Sequence, residues 1–126
     1  HFQLMALILF VDDLPDTIQA LQRVLMAHGH EVLSAADGVE ALQQLQKHSI
    51  DIMILDIHLP NKDGIEVLRE VRRLALPTKI IAMFGGGIAA DFGILEIAKS
   101  LGAIATLQKP FGMQDLMQIV NPLVQA

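Results

Sequence analysis

The chain has 126 residues, about one domain's worth of polypeptide, with 52% apolar and 18% charged residues. That balance excludes intrinsic disorder, and the absence of cysteine excludes disulfide frameworks, thiolate zinc sites and cysteine nucleophiles. A net charge of −5, with no basic block, argues against a nucleic-acid or anionic-membrane surface.

The first apolar stretch, Phe2–Val11, is broken only by Gln3. It is too short to span a bilayer and lacks the basic start and cleavage site of a signal peptide. Within it, Met5–Val11 reads as a buried strand. No membrane association is expected, and a cysteine-free chain fits a reducing compartment, so the expected location is cytoplasmic. Pro15–Ala27 carries apolar residues at Ile18, Leu21, Val24 and Leu25, the spacing of a helix. Asp13 is placed to cap it, Pro15 suits its first turn, and Gly29 follows its end. Glu31–Ala35 is a short strand and Gly38–Lys47 a helix with Val39, Leu42 and Leu45 on one side. Strand Ile50–Ile57 and helix Gly64–Leu74 come next. Pro77 introduces strand Lys79–Phe84, and a helix from about Ala89 to Leu101 stops at Gly102. Strand Ile104–Leu107 and helix Gly112–Val124 complete the series.

Five strand–helix units in strict alternation imply an α/β fold, a doubly wound parallel sheet with helices on both faces. MALILFV and KIIAMF are the continuous apolar runs expected of strands buried on both faces. A single domain is expected over residues 1–126, ordered from about 5 to 125, with no output domain in this chain. Chemistry in such sheets gathers outside the carboxyl ends of the strands.

Three strand ends carry charge: Asp12 and Asp13 after the first strand, Asp56 on the third, Lys109 after the fifth. Taken singly, each has a plain structural reading as a cap, a loop acid or a turn residue. Together they put three carboxylates and an ammonium at one crevice. Oxygen ligands without sulfur or a histidine cluster suit Mg²⁺. Such an ion offsets the repulsion between carboxylates and braces a phosphoryl group, toward which Lys109 adds a point charge.

The stretches ILFVDD (8–13), AADGVEAL (35–42), DIMILDIHLPNKDG (51–64), KIIAMFGGG (79–87) and LQKPF (107–111) carry a resemblance over essentially the whole chain. The sequence resembles the receiver domain of bacterial two-component response regulators, chemotaxis-regulator-like. The resemblance implies a flavodoxin-like (βα)5 sheet in strand order 2-1-3-4-5. It also implies a signalling domain rather than an enzyme, taking a phosphoryl group from a histidine kinase or phosphotransfer protein. Asp56 would be the phosphoacceptor. Mg²⁺ would bind to Asp12, Asp13, Asp56 and the backbone carbonyl of His58, and Lys109 would pair with the phosphoryl oxygens. A cis peptide is expected before Pro110. Family members dimerise or dock partners through the face of the fourth helix, fifth strand and fifth helix, so a homodimer there is one expected use.

Two positions depart from the family pattern. Where members carry Ser or Thr at the end of the fourth strand, this chain has Phe84. Where they carry Tyr or Phe on the fifth, it has Thr106. Thr106 lies too far back along its strand to reach the phosphoryl. If phosphorylation survives, the readout differs, with the phosphoryl held by Mg²⁺, Lys109 and backbone N–H groups near Gly85. The alternative is a receiver-like interaction module that works without phosphorylation. Two rivals of similar architecture, a phosphatase and a flavodoxin, fit worse. VDDLPD lacks the Asp-x-Asp pattern of a haloacid-dehalogenase-type phosphatase, and its acidic pair would repel a flavin phosphate.

Overall fold

The computed structural model describes residues 5–59, 61–85 and 89–124, with the backbone alone for 89–92. Its elements run β1 (Leu7–Val11), α1 (Pro15–Ala27), β2 (Glu31–Ala35), α2 (Gly38–Lys47), β3 (Ile52–Asp56), α3 (Gly64–Arg73), β4 (Lys79–Phe84), α4 (Ala89–Ser100), β5 (Ala103–Gln108) and α5 (Met113–Val124). All four strand pairings are parallel, and the sheet order is β2-β1-β3-β4-β5. This is the flavodoxin-like sheet that the alternation and the resemblance imply.

Side chains on a strand alternate between the two faces of the sheet. Ile8, Phe10, Ile52, Ile54, Ile81 and Met83 therefore form one core with Leu21 and Leu25 of α1 and Leu116 and Val120 of α5. Leu9, Val11, Met53, Leu55 and Ala82 form the other, with Ala41 and Leu45 of α2, Val67, Leu68 and Val71 of α3, and Ala98 of α4. The central strands are apolar through their middles because both faces are covered, and charge stands only at their ends, on Lys79 and Asp56. Each large aliphatic or aromatic side chain buried this way contributes about 1.5–3 kcal/mol.

Most elements match the sequence expectation, and the differences are local. β1 begins at Leu7 rather than Met5, because the N–H of Ala6 donates to the ring of His30 (3.1 Å) instead of a ladder partner. β3 spans Ile52–Asp56, narrower than Ile50–Ile57. Asp51 still ties its entry to β1: its N–H donates to Leu7 O (2.9 Å), and its carboxylate accepts from Leu7 N–H (2.8 Å). α3 ends at Arg73 with Leu74 as its C-cap, one residue early. β5 is longer than expected, Ala103–Gln108, as an edge strand whose alternate residues face solvent, including Ile104 at 53% exposure.

Asp13 does not cap α1. The N-cap position is Leu14, with no side-chain cap, and the carboxylate of Asp12 takes the Leu14 N–H (3.0 Å). Asp13 is left exposed on the loop. Gly29 (φ 90°) and Gly102 (φ 110°) take left-handed conformations past the ends of α1 and α4, as their positions imply.

Candidate functional site

The register of the sheet places the charged residues. Val11 pairs with Leu55, so the next residue, Asp12, leaves β1 beside Asp56, the last residue of β3. Asp56 in turn pairs with Met83 on β4, and Met83 with Leu107 on β5. Lys109 follows β5, its N–H bonded to Phe84 O at 2.8 Å. β5 and β3 are two strand spacings apart, about 9.6 Å, so a long side chain is needed to bridge them. Lys109 Nζ reaches both acids, donating to Asp12 Oδ2 at 2.6 Å and Asp56 Oδ2 at 2.7 Å.

The two aspartates share a local design. Each uses Oδ1 to accept the N–H two residues on: Asp12 from Leu14 (3.0 Å) and Asp56 from His58 (2.9 Å). These side-chain turns aim Oδ2 at the lysine. The Asp12 side chain is fully buried, that of Asp56 is 7% exposed and that of Lys109 22%. Burial pushes the Asp56 carboxyl above its ordinary range. The hydrogen bond from Lys109 and the His58 N–H pull it back, and the charge of Asp12 adds to the rise. Lys109 is also held above its usual value: burial alone would lower it, but the hydrogen bonds it donates to both carboxylates outweigh that. The pair is thus ion-paired yet strained by burial, a condition typical of functional clusters.

Oxygen atoms of Asp12, Asp13 and Asp56 all lie within 4.8 Å of one another. The donors are hard, and no sulfur or imidazole stands among them, which is the chemistry of a small divalent cation such as Mg²⁺. Gly64 makes room for the loop after β3. A Cβ there would lie 2.6 Å from both Asp56 O and Ile57 Cα, so α3 starts directly against the backbone of Asp56. The Lys109–Pro110 peptide is cis. Beside Lys109, a groove of about 670 Å³ opens between α1 and the β5–α5 loop, lined by Thr17, Ala20, Leu21, Pro110, Phe111 and Met113 among others.

The other sequence candidates fall as follows. Phe84 ends β4 half-buried, and no hydroxyl side chain stands at that position or at Gly85. Thr106 pairs with Ala82, two residues back from Phe84 and about 6.6 Å short of the strand end. His58 is exposed. Gly86 and Gly87, the rest of the glycine-rich stretch, and Pro60 lie outside the described residues. His30, which the sequence places only beside a turn, is buried, with its Nδ1 accepting from Ala6 N–H. Among the described residues, no helix is long and apolar enough to cross a membrane.

A doubly wound sheet with an acidic pair after β1, an aspartate ending β3 and a lysine after β5 defines a receiver-type signalling domain. The chain belongs to that family: the model of the response regulator receiver domain matches residues 8–121. The chain is 30% identical over 114 residues to Sporulation initiation phosphotransferase F of Bacillus subtilis, covering 90% of each. It is 33% identical over 122 residues to the Transcriptional regulatory protein KdpE of Mycobacterium tuberculosis. That match takes in 96% of this chain but 52% of the relative, so the chain spans about half its length. Among solved structures, a CheY-like response regulator receiver domain protein from Methanospirillum hungatei superposes with a TM-score of 0.87 at 26% identity, covering 96% of this chain and 94% of that one.

Proposed function

We propose that this domain accepts a phosphoryl group on Asp56 from a phosphohistidine of a histidine kinase or phosphotransfer protein. The observation that carries the reading is the joint placement of Asp56 against Asp12 and Lys109 at one buried crevice. Family membership supports it, since the match spans residues 8–121 and so includes all four charged residues.

The residues act in complementary ways. The Asp56 carboxylate is the nucleophile at phosphorus, and the phosphohistidine nitrogen is the leaving group. Lys109, now paired with both carboxylates, supplies positive charge toward the phosphoryl oxygens as they arrive. Asp12, Asp13, Asp56 and the His58 carbonyl would hold Mg²⁺, which when bound neutralises charge on the transferring group. The apolar groove beside Lys109 would receive the donor. Half-buried Phe84 leaves backbone N–H groups near Gly85 to contact the remaining oxygen, so the signal does not pass through a hydroxyl at the end of β4.

Phe84 also favours a second reading, a docking module in which the receiver surface works without modification. Incubation with a phosphorylated phosphotransfer protein, with and without EDTA, separates the two. Metal-dependent transfer that yields a hydroxylamine-labile acyl phosphate supports the first. Stable binding of the donor without transfer supports the second.

A further inference from the structure

The acidic triad comes from the ends of β1 and β3. The loop after β2 contributes no carboxylate to it, yet it is tied to the segments that follow both of those strands. On one side the N–H of Asp12 donates to Ala35 O at 3.1 Å. On the other stands Asp37, the N-cap of α2, whose Oδ1 accepts from Glu40 N–H at 2.9 Å. Glu40 reaches back to accept the Ala36 N–H at 2.7 Å, one residue ahead of the cap. That would suffice for the helix.

Asp37 has a second oxygen, and it serves another element. Oδ2 accepts from Asn61 Nδ2 at 2.8 Å, 24 residues along the chain, in the loop that follows Asp56. Asn61 holds a left-handed conformation (φ 65°) that points to a defined loop geometry. Beside it the two loops meet backbone to backbone, and a Cβ on Gly38 would lie 2.1 Å from Lys62 O. The near end of the acceptor loop is bonded to the Asp56 carboxylate through His58 N–H, and Gly64 N–H donates to Ile57 O at 2.9 Å. The Asp37 carboxyl sits below its ordinary range, first through the Glu40 N–H and then through the Asn61 amide, so it is the ionised acceptor at neutral pH.

We propose that the Asp37–Asn61 hydrogen bond is a positioning latch: it sets the acceptor loop so that the His58 carbonyl meets Asp12, Asp13 and Asp56 at the spacing a divalent cation requires. The inference rests on the reading of the crevice as a Mg²⁺-dependent phosphoacceptor site. Neither latch residue touches cation or phosphoryl; both act through the loop. Mg²⁺ demands near-octahedral geometry, so a small displacement of one ligand is felt in affinity.

Two substitutions break the latch from opposite sides. Asn61→Gly removes the amide and keeps a residue that tolerates φ 65°. Asp37→Ser keeps one oxygen for the cap and loses the second. Mg²⁺ affinity is read by titration calorimetry on the parent, both single variants and the double, with melting temperatures in the absence of metal. We expect each single variant to bind Mg²⁺ about three- to tenfold more weakly, the span of one net hydrogen bond. The double variant should be no weaker than the poorer single, because both remove the same bond. Amide exchange at His58 should also quicken in both. Unchanged affinity in the variants, with only the melting temperature lowered, overturns the latch while leaving the site intact. A parent that binds no Mg²⁺ overturns the underlying reading and the latch with it, and does so before any substitution is made.

Discussion

Lys109→Met removes the only cation that contacts Asp12 and Asp56 among the described residues, and leaves two buried carboxylates facing each other. Both lost hydrogen bonds are short, 2.6 and 2.7 Å, and the acids are 0% and 7% exposed, so solvent gives little relief. Breaking a buried ion pair from one side costs about 3–5 kcal/mol. The partial exposure of Lys109 places this case at the lower end, about 3 kcal/mol. For a domain of this size that lowers Tm by about 12 °C. The sign of the pH dependence follows from Asp56. Burial already raises its carboxyl, and the substitution deletes the lysine hydrogen bond that opposes the rise. A carboxyl with a raised folded value retains its stability below the unfolded value and loses it as pH climbs through the folded one. The deficit should therefore shrink on acidification, and Mg²⁺ should reduce it by replacing the missing charge. The chain has no Trp or Tyr, so urea and thermal unfolding are followed by far-ultraviolet circular dichroism. A loss under about 1 kcal/mol, the range of exposed pairs, or a deficit that grows on acidification, would refute the reasoning.

Other outcomes follow from particular contacts. Gly64→Ala drives a methyl into the Asp56 and Ile57 backbone at 2.6 Å and should destabilise by about 1–3 kcal/mol, read from the urea midpoint. His30 is buried with its imidazole held below the ordinary range, by burial first and by His28 second, and its Nδ1 must stay unprotonated to accept from Ala6. Parent stability should therefore fall as pH drops below about 6.5, and His30→Asn, which keeps an acceptor without titrating, should flatten that slope in unfolding curves at several pH values. Thr106→Ala should leave the rate of phosphoryl uptake within about twofold, because Thr106 sits opposite Ala82, about 6.6 Å back from the strand end; a tenfold drop would place Thr106 in the chemistry.

The fold was largely legible because it rests on local signals. Apolar runs mark strands covered on both faces, and helical spacing marks the elements between them. The crevice was legible for a similar reason: strand ends are visible in sequence, and a parallel sheet collects them on one edge. What escaped depends on contacts between distant segments. Asp13 looks like a cap until Asp12 takes the Leu14 N–H. The limits of β1 and β3 turn on His30, which accepts from Ala6 N–H just ahead of β1, and on Asp51, which bonds Leu7. Asp37 as a cap could have been found from Glu40 three residues on, but its bond to Asn61 crosses 24 residues and leaves no mark in local pattern.

The most direct test of the crevice chemistry is intact mass after incubation with acetyl phosphate and Mg²⁺, for the parent and for Asp56→Asn. One added phosphoryl group in the parent, absent from the variant and absent without metal, is the predicted result. No addition to a folded parent, or equal addition to Asp56→Asn, would contradict the assignment of Asp56 as the acceptor.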